Sequence, residues 1–236
     1  MDHSRVIVVP NDPRATIIPP RNSAIIVANE SRVVTLPVTA APVPVFAPAV
    51  ATIIHDEFLT PTGVLNGRYA DVVSNGNQWQ KLTLDTFNCS GGVASNAAFT
   101  APTNYINVGA NRRVSATGYA NAGTAPLYGI ICRFVSSGNY FLLQRVEGFV
   151  VRLFLVQDSV FTNVGQYTSA FAGTVSKKMI LATNNDRVEG WLEGEESSKI
   201  GYNSTVHNSG VSVGIIQRSI GVANFTDFKA TDEILA

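Results

Sequence analysis

Charge, cysteine, histidine and long apolar runs are all scarce in this sequence. Only 14% of residues are charged, and 17 basic side chains balance 17 acidic ones. So sparse and balanced a set leaves no electrostatic footprint for nucleic acid and no polybasic segment for an anionic membrane. No segment approaches the ~18 consecutive apolar residues that a spanning helix needs. The two cysteines, Cys89 and Cys132, form no CxxC pair, and Cys132 lies inside an apolar run. Two buried free thiols are therefore expected, rather than a bridge. The three histidines, His3, His55 and His207, stand far apart without clustered carboxylates, which argues against a metal site and against a Ser/His/Asp triad. No GxGxxG, P-loop or HExxH is present, and no cofactor is implied. MDHSRV lacks the basic and apolar regions of a signal peptide, so the expectation is a protein made in a cytoplasm that leaves it only within a particle.

What is present begins with a repeat. RVIVVPNDP from Arg5, RATIIPPRN from Arg14, SAIIVANES from Ser23 and RVVTLPVTA from Arg32 repeat with a period of nine residues. β-Branched residues favour extended backbone, and the prolines interrupt each run, so four short strands with tight turns are expected. Such units cannot bury an apolar face alone and become stable by stacking on neighbours or on other chains. Residues 1–36 therefore read as an anchoring arm. Its expected partner contacts are Arg5, Val6, Ile7, Val8 and Val9, then Arg14, Ile17 and Ile18, then Ile25 and Ile26, and finally Arg32, Val33 and Val34. Residues 37–55, with Pro37, Pro42, Pro44 and Pro48 among Ala and Val, read as an extended spacer close to polyproline II.

From residue 56 to 236 the texture is all-β, with short alternating strands separated by Gly, Asn and Ser turns. The expected strands are Trp79–Leu84, Tyr105–Val108, Arg113–Ala120, Leu127–Phe134, Tyr140–Arg145, Val150–Val156, Lys178–Thr183, Arg187–Leu192, Ser212–Gln217 and Val222–Thr231. Turns at Ser136–Asn139, Asn184–Asp186 and Asn208–Gly210 separate several of them. This pattern points to an antiparallel sandwich. Phe134, Phe141, Leu153 and Phe154 are expected in its core.

Chemistry is thinly signalled. Glu189, Glu193, Glu195 and Glu196 form the densest carboxylate group, and glycoside hydrolysis needs two carboxylates flanking the scissile bond. Gly190 and Gly194 interrupt this group, so a solvated turn is expected and no enzymatic activity. Asp71 and the Asn184-Asn185-Asp186 turn offer oxygens to calcium, but turn-forming Asn and Asp need no ion. Sugars stack on exposed aromatics, and Trp79, Trp191 and Tyr202 are candidate glycan contacts, with Tyr128 and Tyr167 behind them.

Residues 56–232 resemble a concanavalin A-like (laminin G-like) jelly-roll sandwich. The resemblance rests on Asp56-Glu57-Phe58, on Leu65-Asn66-Gly67-Arg68 with Asp71 and Trp79, and on the hairpin strands GIICRFVSSGNYFLLQ and FVVRLFLVQ. Arg187–Gly194 is similar to that family's strand–turn, and Ala223–Asp232 to its closing strand, which would pair near the first. The hydrolases of this fold carry an ExDxxE-type strand that is absent here. The RVIVVP units are similar to N-terminal segments of tailed-bacteriophage virion proteins, including capsid-decorating and fibre proteins. Together these resemblances imply a virion structural protein, non-enzymatic and homotrimeric. Its partners would be other virion proteins, the major capsid protein or tail proteins. A tail-fibre role, with the knob touching host-surface glycans, is the alternative.

Overall fold

The computed structural model describes residues 51–59, 62–73, 76–83, 85–96, 102–109, 112–124, 126–146, 148–219 and 221–233, and the backbone of 5–9, 23–27 and 33–34. The chain divides into two compact units, Met1–Ala49 and Val50–Ala236.

In the first unit, β1 (Arg5–Val9), β2 (Ser23–Val27) and β3 (Val33–Val34) form a sheet in chain order. β1 runs parallel to β2, with Arg5 level with Ser23 and Val9 level with Val27. β3 is antiparallel to β2. The parallel pair thus joins the first and third repeat units in the same phase, like position beside like. Ser23 is the one unit-opening residue that is not Arg, and it falls on the rung that Arg5 occupies. Arg at both positions would set like charges side by side, which is unfavourable on a ladder. The strand expected in the second unit, with Arg14, Ile17 and Ile18, and the position of Arg32 lie outside the described residues.

The second unit contains β4 (Thr52–Asp56), β5 (Gly63–Val64), β6 (Val72–Val73), β7 (Gln80–Lys81), β8 (Asn88–Ser90), β9 (Val93–Ser95), β10 (Thr103–Asn107) and β11 (Arg113–Ala120). It continues through β12 (Tyr128–Ser136), β13 (Asn139–Arg145), β14 (Val150–Gln157), β15 (Val160–Thr168), β16 (Lys177–Thr183) and β17 (Arg187–Leu192). β18 (Ile200–Asn203), β19 (Ser212–Gln217) and β20 (Ala223–Thr231) complete it, with a single 3₁₀ turn at Glu196–Ser198. Among the described residues there is no α-helix. These strands build two antiparallel sheets, one of seven strands in the order β15-β14-β13-β12-β19-β10-β7. The other has ten, with β18-β17-β16-β11-β20-β9-β8-β5 in line, β4 attached beside β20 and β6 beside β4. β12, β13 and β14 are consecutive neighbours, as expected of the paired hairpin strands. The closing strand β20 pairs with the first strand of the unit, Phe228 with Asp56 and Lys229 with His55. Thr52–His55, which read as the end of the spacer, are therefore sandwich strand.

Alternation decides what lies between the sheets. In β11, Val114, Ala116 and Ala120 point inward, while Arg113, Ser115 and Thr117 are half-exposed. The inter-sheet core gathers Phe58, Trp79, Phe87, Tyr128, Phe141, Leu153, Phe225 and Phe228. Trp79 meets Phe228 edge-on with centroids 4.8 Å apart, and Phe87 meets Phe225 likewise at 5.4 Å. Such pairs add to the area that the rings bury. Two of the four expected core residues, Phe141 and Leu153, lie here. Phe134 and Phe154 do not; they belong to a second cluster on the outer face of the seven-stranded sheet. Phe154 follows Leu153 in a strand, so it must face the other way. Phe134 is turned outward by a bulge in β12, where Arg133 adopts φ 47° and its side chain turns inward instead.

Polar groups inside the sandwich are held by specific partners. The buried Asp56 carboxylate accepts from the Phe58 N–H at 2.8 Å, Arg68 Nη2 at 2.8 Å and Trp79 Nε1 at 2.8 Å. Arg68 also reaches Asp71 at 3.3 Å. This knot ties the opening segment together. Arg145, 1% exposed, fills the core beside Tyr128 and donates to the carbonyls of Gly118, Val175 and Ala172. Arg133 does the same elsewhere, donating to the carbonyls of Ser204, Val206 and Asn184. Cys89 and Cys132 are both buried and free. Burial pushes their thiols up to about 11 and about 12 respectively.

Candidate functional site

The outer face of the seven-stranded sheet carries three rows of side chains fixed by strand register. The first runs Gln166, Arg152, Gln144, Gly129, Ile216, Thr103 across β15 to β10. The second runs Asn163, Phe154, Leu142, Ile131, Gly214, Tyr105. The third holds Phe161, Val156 and Tyr140, with Phe134 set beside them by the bulge in β12. An aliphatic centre of Ile131, Leu142 and Ile216 is thus framed by aromatics.

The aromatics form a connected path. Tyr105 stacks on Phe134 at 4.5 Å, Phe134 lies 6.0 Å from Tyr140, and Tyr140 meets Phe161 edge-on at 6.3 Å. Phe154 meets Phe161 at 6.2 Å. Arg218 lays its guanidinium over the Phe161 ring, 3.4 Å from the centroid. Burial there lowers the Arg218 pKa and raises that of Tyr140, each partly offset by the other. At the polar end, Gln166 Oε1 accepts from Arg152 Nε at 3.3 Å and Asn163 Nδ2 at 3.1 Å. Gln144, 2% exposed, keeps an amide nitrogen with no hydrogen-bond partner. Phe134 and Tyr140 are themselves only 6% and 3% exposed, so Phe161, with the half-buried Tyr105 and Phe154, is the ring surface that a polyhydroxylated or aromatic-rich partner can meet. None of these aromatics was singled out as a contact from sequence. The signal lay in the alternation of Leu153-Phe154-Leu155 and Tyr140-Phe141-Leu142, which must send large apolar groups to both faces.

The residues that were singled out lie elsewhere. Trp79 is fully buried, its indole N–H spent on Asp56, so it is core and not a glycan platform. Tyr202 rests against Phe141 with centroids 6.3 Å apart, at the border of the core. Tyr128 is core, and the Tyr167 hydroxyl accepts from the Leu192 N–H. Trp191 is on the outer face of the ten-stranded sheet but only 3% exposed, with Arg113 and Lys199 lying over its ring. The carboxylates are dispersed among structural partners. Glu195 accepts from Ser169 Oγ and the Ala170 N–H, Glu189 pairs with Arg187, and Glu193 approaches Lys178 at 3.7 Å. Among the described residues no three His, Cys, Asp or Glu side chains converge to hold a metal ion. The arm residues named as partner contacts are described only as backbone: Arg5 to Val9 in β1, Ile25 and Ile26 in β2, Val33 and Val34 in β3.

No protein-family model matches this chain, and no curated protein does. Solved structures do. The endo-β-1,3-glucanase from Pyrococcus furiosus superposes with a TM-score of 0.54 at 9% identity, covering 77% of this chain and 94% of that one. The CBM2 module of Lactobacillus casei BL23 phage J-1 evolved Dit superposes at 0.51 with 12% identity, covering 79% and 97%. A Bacillus licheniformis β-glucanase does so at 0.50 with 8% identity, covering 74% and 100%. Identities this low speak for the fold alone, and that fold is a concanavalin A-like jelly-roll sandwich.

Proposed function

We propose that this chain is a non-enzymatic structural protein of a phage particle, attached through its arm and displaying the sandwich as a knob. The observation that carries the reading is the in-phase parallel pairing of β1 with β2. β2 is flanked by β1 and by the antiparallel β3, so among the described residues it is the outer edge of β1 that can add to a strand of another chain, where main-chain bonds supply affinity. Three arms engaged together would add avidity, since the second and third contacts become intramolecular. A homotrimer on a regular shell, bound to the major capsid protein or otherwise to tail proteins, is the assembly this favours. Two further points support it: the glutamates serve structural contacts, and a module of phage J-1 evolved Dit has the same fold. The test is co-sedimentation with particles lacking the native protein. The full chain should pellet with them, and a chain lacking residues 1–36 should stay in the supernatant as a folded sandwich. Full occupancy by the truncated chain would move attachment to the sandwich.

A second reading, a fibre knob that binds host-surface glycans, is favoured by the aromatic path from Tyr105 to Phe161. Host-cell binding by the full chain that is lost in Phe154→Ser, with the variant still folded at the assay temperature, would support it. Equal binding by that variant would remove it.

A further inference from the structure

The ten-stranded sheet carries on its outer face a depression of ≈ 300 Å³, at the lower end of volumes that hold small molecules. Strand register builds it. Trp191, Ile180, Ser115, Lys229 and His55 follow one another across β17, β16, β11, β20 and β4. Arg113 and Thr231 are level with each other in the adjoining row. A second bulge fixes this arrangement: Asp227 adopts φ 49°, so Phe225 and Phe228 both point inward while Lys229 and Thr231 point out.

The charges in the depression are unevenly satisfied. Arg113 Nη1 holds Glu233 at 2.5 Å, and Lys178 lies 3.4 Å from Asp227 and 3.7 Å from Glu193. Lys229 has no ion pair among the described residues, although it lines the same space. Thr231 Oγ1 is buried there without a hydrogen-bond partner. Outside the lining, beneath the Arg113 guanidinium, the indole nitrogen of the buried Trp191 is also unpartnered. A buried polar group without a partner is costly and marks a place where a ligand can supply one. The carboxylates Glu193 and Glu233 are half-exposed on the rim, where they can accept from hydroxyls.

We propose that this depression binds a single acidic sugar unit, its carboxylate on Lys229 and its hydroxyls on Thr231 and the rim glutamates. Cation and acceptors must be used together. A bare phosphate would gain the ammonium but lacks the sugar's array of hydroxyl donors for the two carboxylates, and a neutral sugar would bring Lys229 no counter-charge. The residues named for the site all belong to the second unit and lie on the sheet opposite the aromatic path. Its test therefore separates from both readings above.

The experiment is titration of the full chain with D-glucuronate, D-glucose and inorganic phosphate, followed by two-dimensional NMR of the indole N–H signals. The chain has two tryptophans. Trp191 is level with Ile180 and lies under Arg113, two residues that line the depression, and Trp79 in the core serves as internal reference. Glucuronate should shift the Trp191 signal saturably and leave Trp79 in place. Glucose and phosphate should each bind at least ten-fold more weakly. Lys229→Met, which keeps the stem of the side chain, should weaken glucuronate at least ten-fold, and so should Thr231→Val, with unchanged melting temperatures. Equal shifts with glucose, equal shifts with phosphate, or undiminished binding by Lys229→Met would each overturn the proposal, as would a Trp191 signal that does not respond to glucuronate.

Discussion

Asp56 shows how one side chain couples the opening segment to the core and to pH. Burial pushes its carboxyl up to about 6, while the Phe58 N–H, Arg68 and the Trp79 N–H pull the other way. Its folded pKa therefore lies above the unfolded one, and between about pH 4 and 6 the folded state holds a proton that the unfolded state has released. The corresponding stabilisation is present below about pH 4 and is lost as pH rises through about 6. Relative to Asp56→Asn, the wild type should gain roughly 2–3 kcal/mol of unfolding free energy between pH 7 and pH 4. Parallel pH profiles of the two proteins in urea melts would contradict this. Side-chain direction gives a second contrast. Phe141 lies between the sheets and Phe154 on an outer face, although both read as core. Phe141→Ala should cost about 3–5 kcal/mol. Phe154→Ala, losing a half-buried ring, should cost less than half as much by the same measurement.

At the scale of elements, alternation in β11 and short apolar segments between turns in β17 and β19 made these strands legible to the residue: Arg113–Ala120, Arg187–Leu192 and Ser212–Gln217. The strand β15 was not legible. Its residues VFTNVGQYT are mostly exposed, with Asn163 and Gly165 at its middle and a register shift opposite Leu153 and Phe154. An edge strand with one neighbour needs no apolar face, so period-2 patterning is weak there. Gly165 has a tertiary reason, because a Cβ would fall 2.3 Å from Ile200 Cγ2. In the arm, Ser23 is level with Arg5. Ser23→Arg should weaken the β1–β2 pair by roughly 0.2–1 kcal/mol. Amide exchange of residues 5–9 should then quicken at low salt and slow again at high salt, where the charges are screened. Unchanged exchange would mean that another partner, not β2, holds β1.

For the molecule as a whole, the two faces of the sandwich are chemically different. One is aromatic with a guanidinium laid over it; the other is charged, with a depression at its centre. Among the described residues, neither presents two free carboxylates across a cleft. Replacing Glu193 and Glu195 together by Gln should leave reducing-sugar release from a polysaccharide panel at the background given by the wild type. Release by the wild type that the double variant loses would identify an enzyme. The same double variant should melt lower, since Glu195 ties Ser169 and Ala170 to the turn after β17.

The pairing of first and last segments was implied by the resemblance to the jelly-roll family, whereas the sequence by itself determined the all-β class, most of the long strands and the period of the arm. These follow from local rules: β-branched stiffness, alternation, and turns of Gly, Asn and Pro. Only the tertiary structure decided which face each large side chain occupies. Arg133 and Asp227 sit at left-handed bulges, and each shifts the alternation of its strand by one residue. That shift sends Phe134 out and Phe228 in, and it aligns Lys229 with Ser115 and His55. A bulge is stabilised by what packs on either side of the sheet, and the sequence of a single strand carries no record of those neighbours.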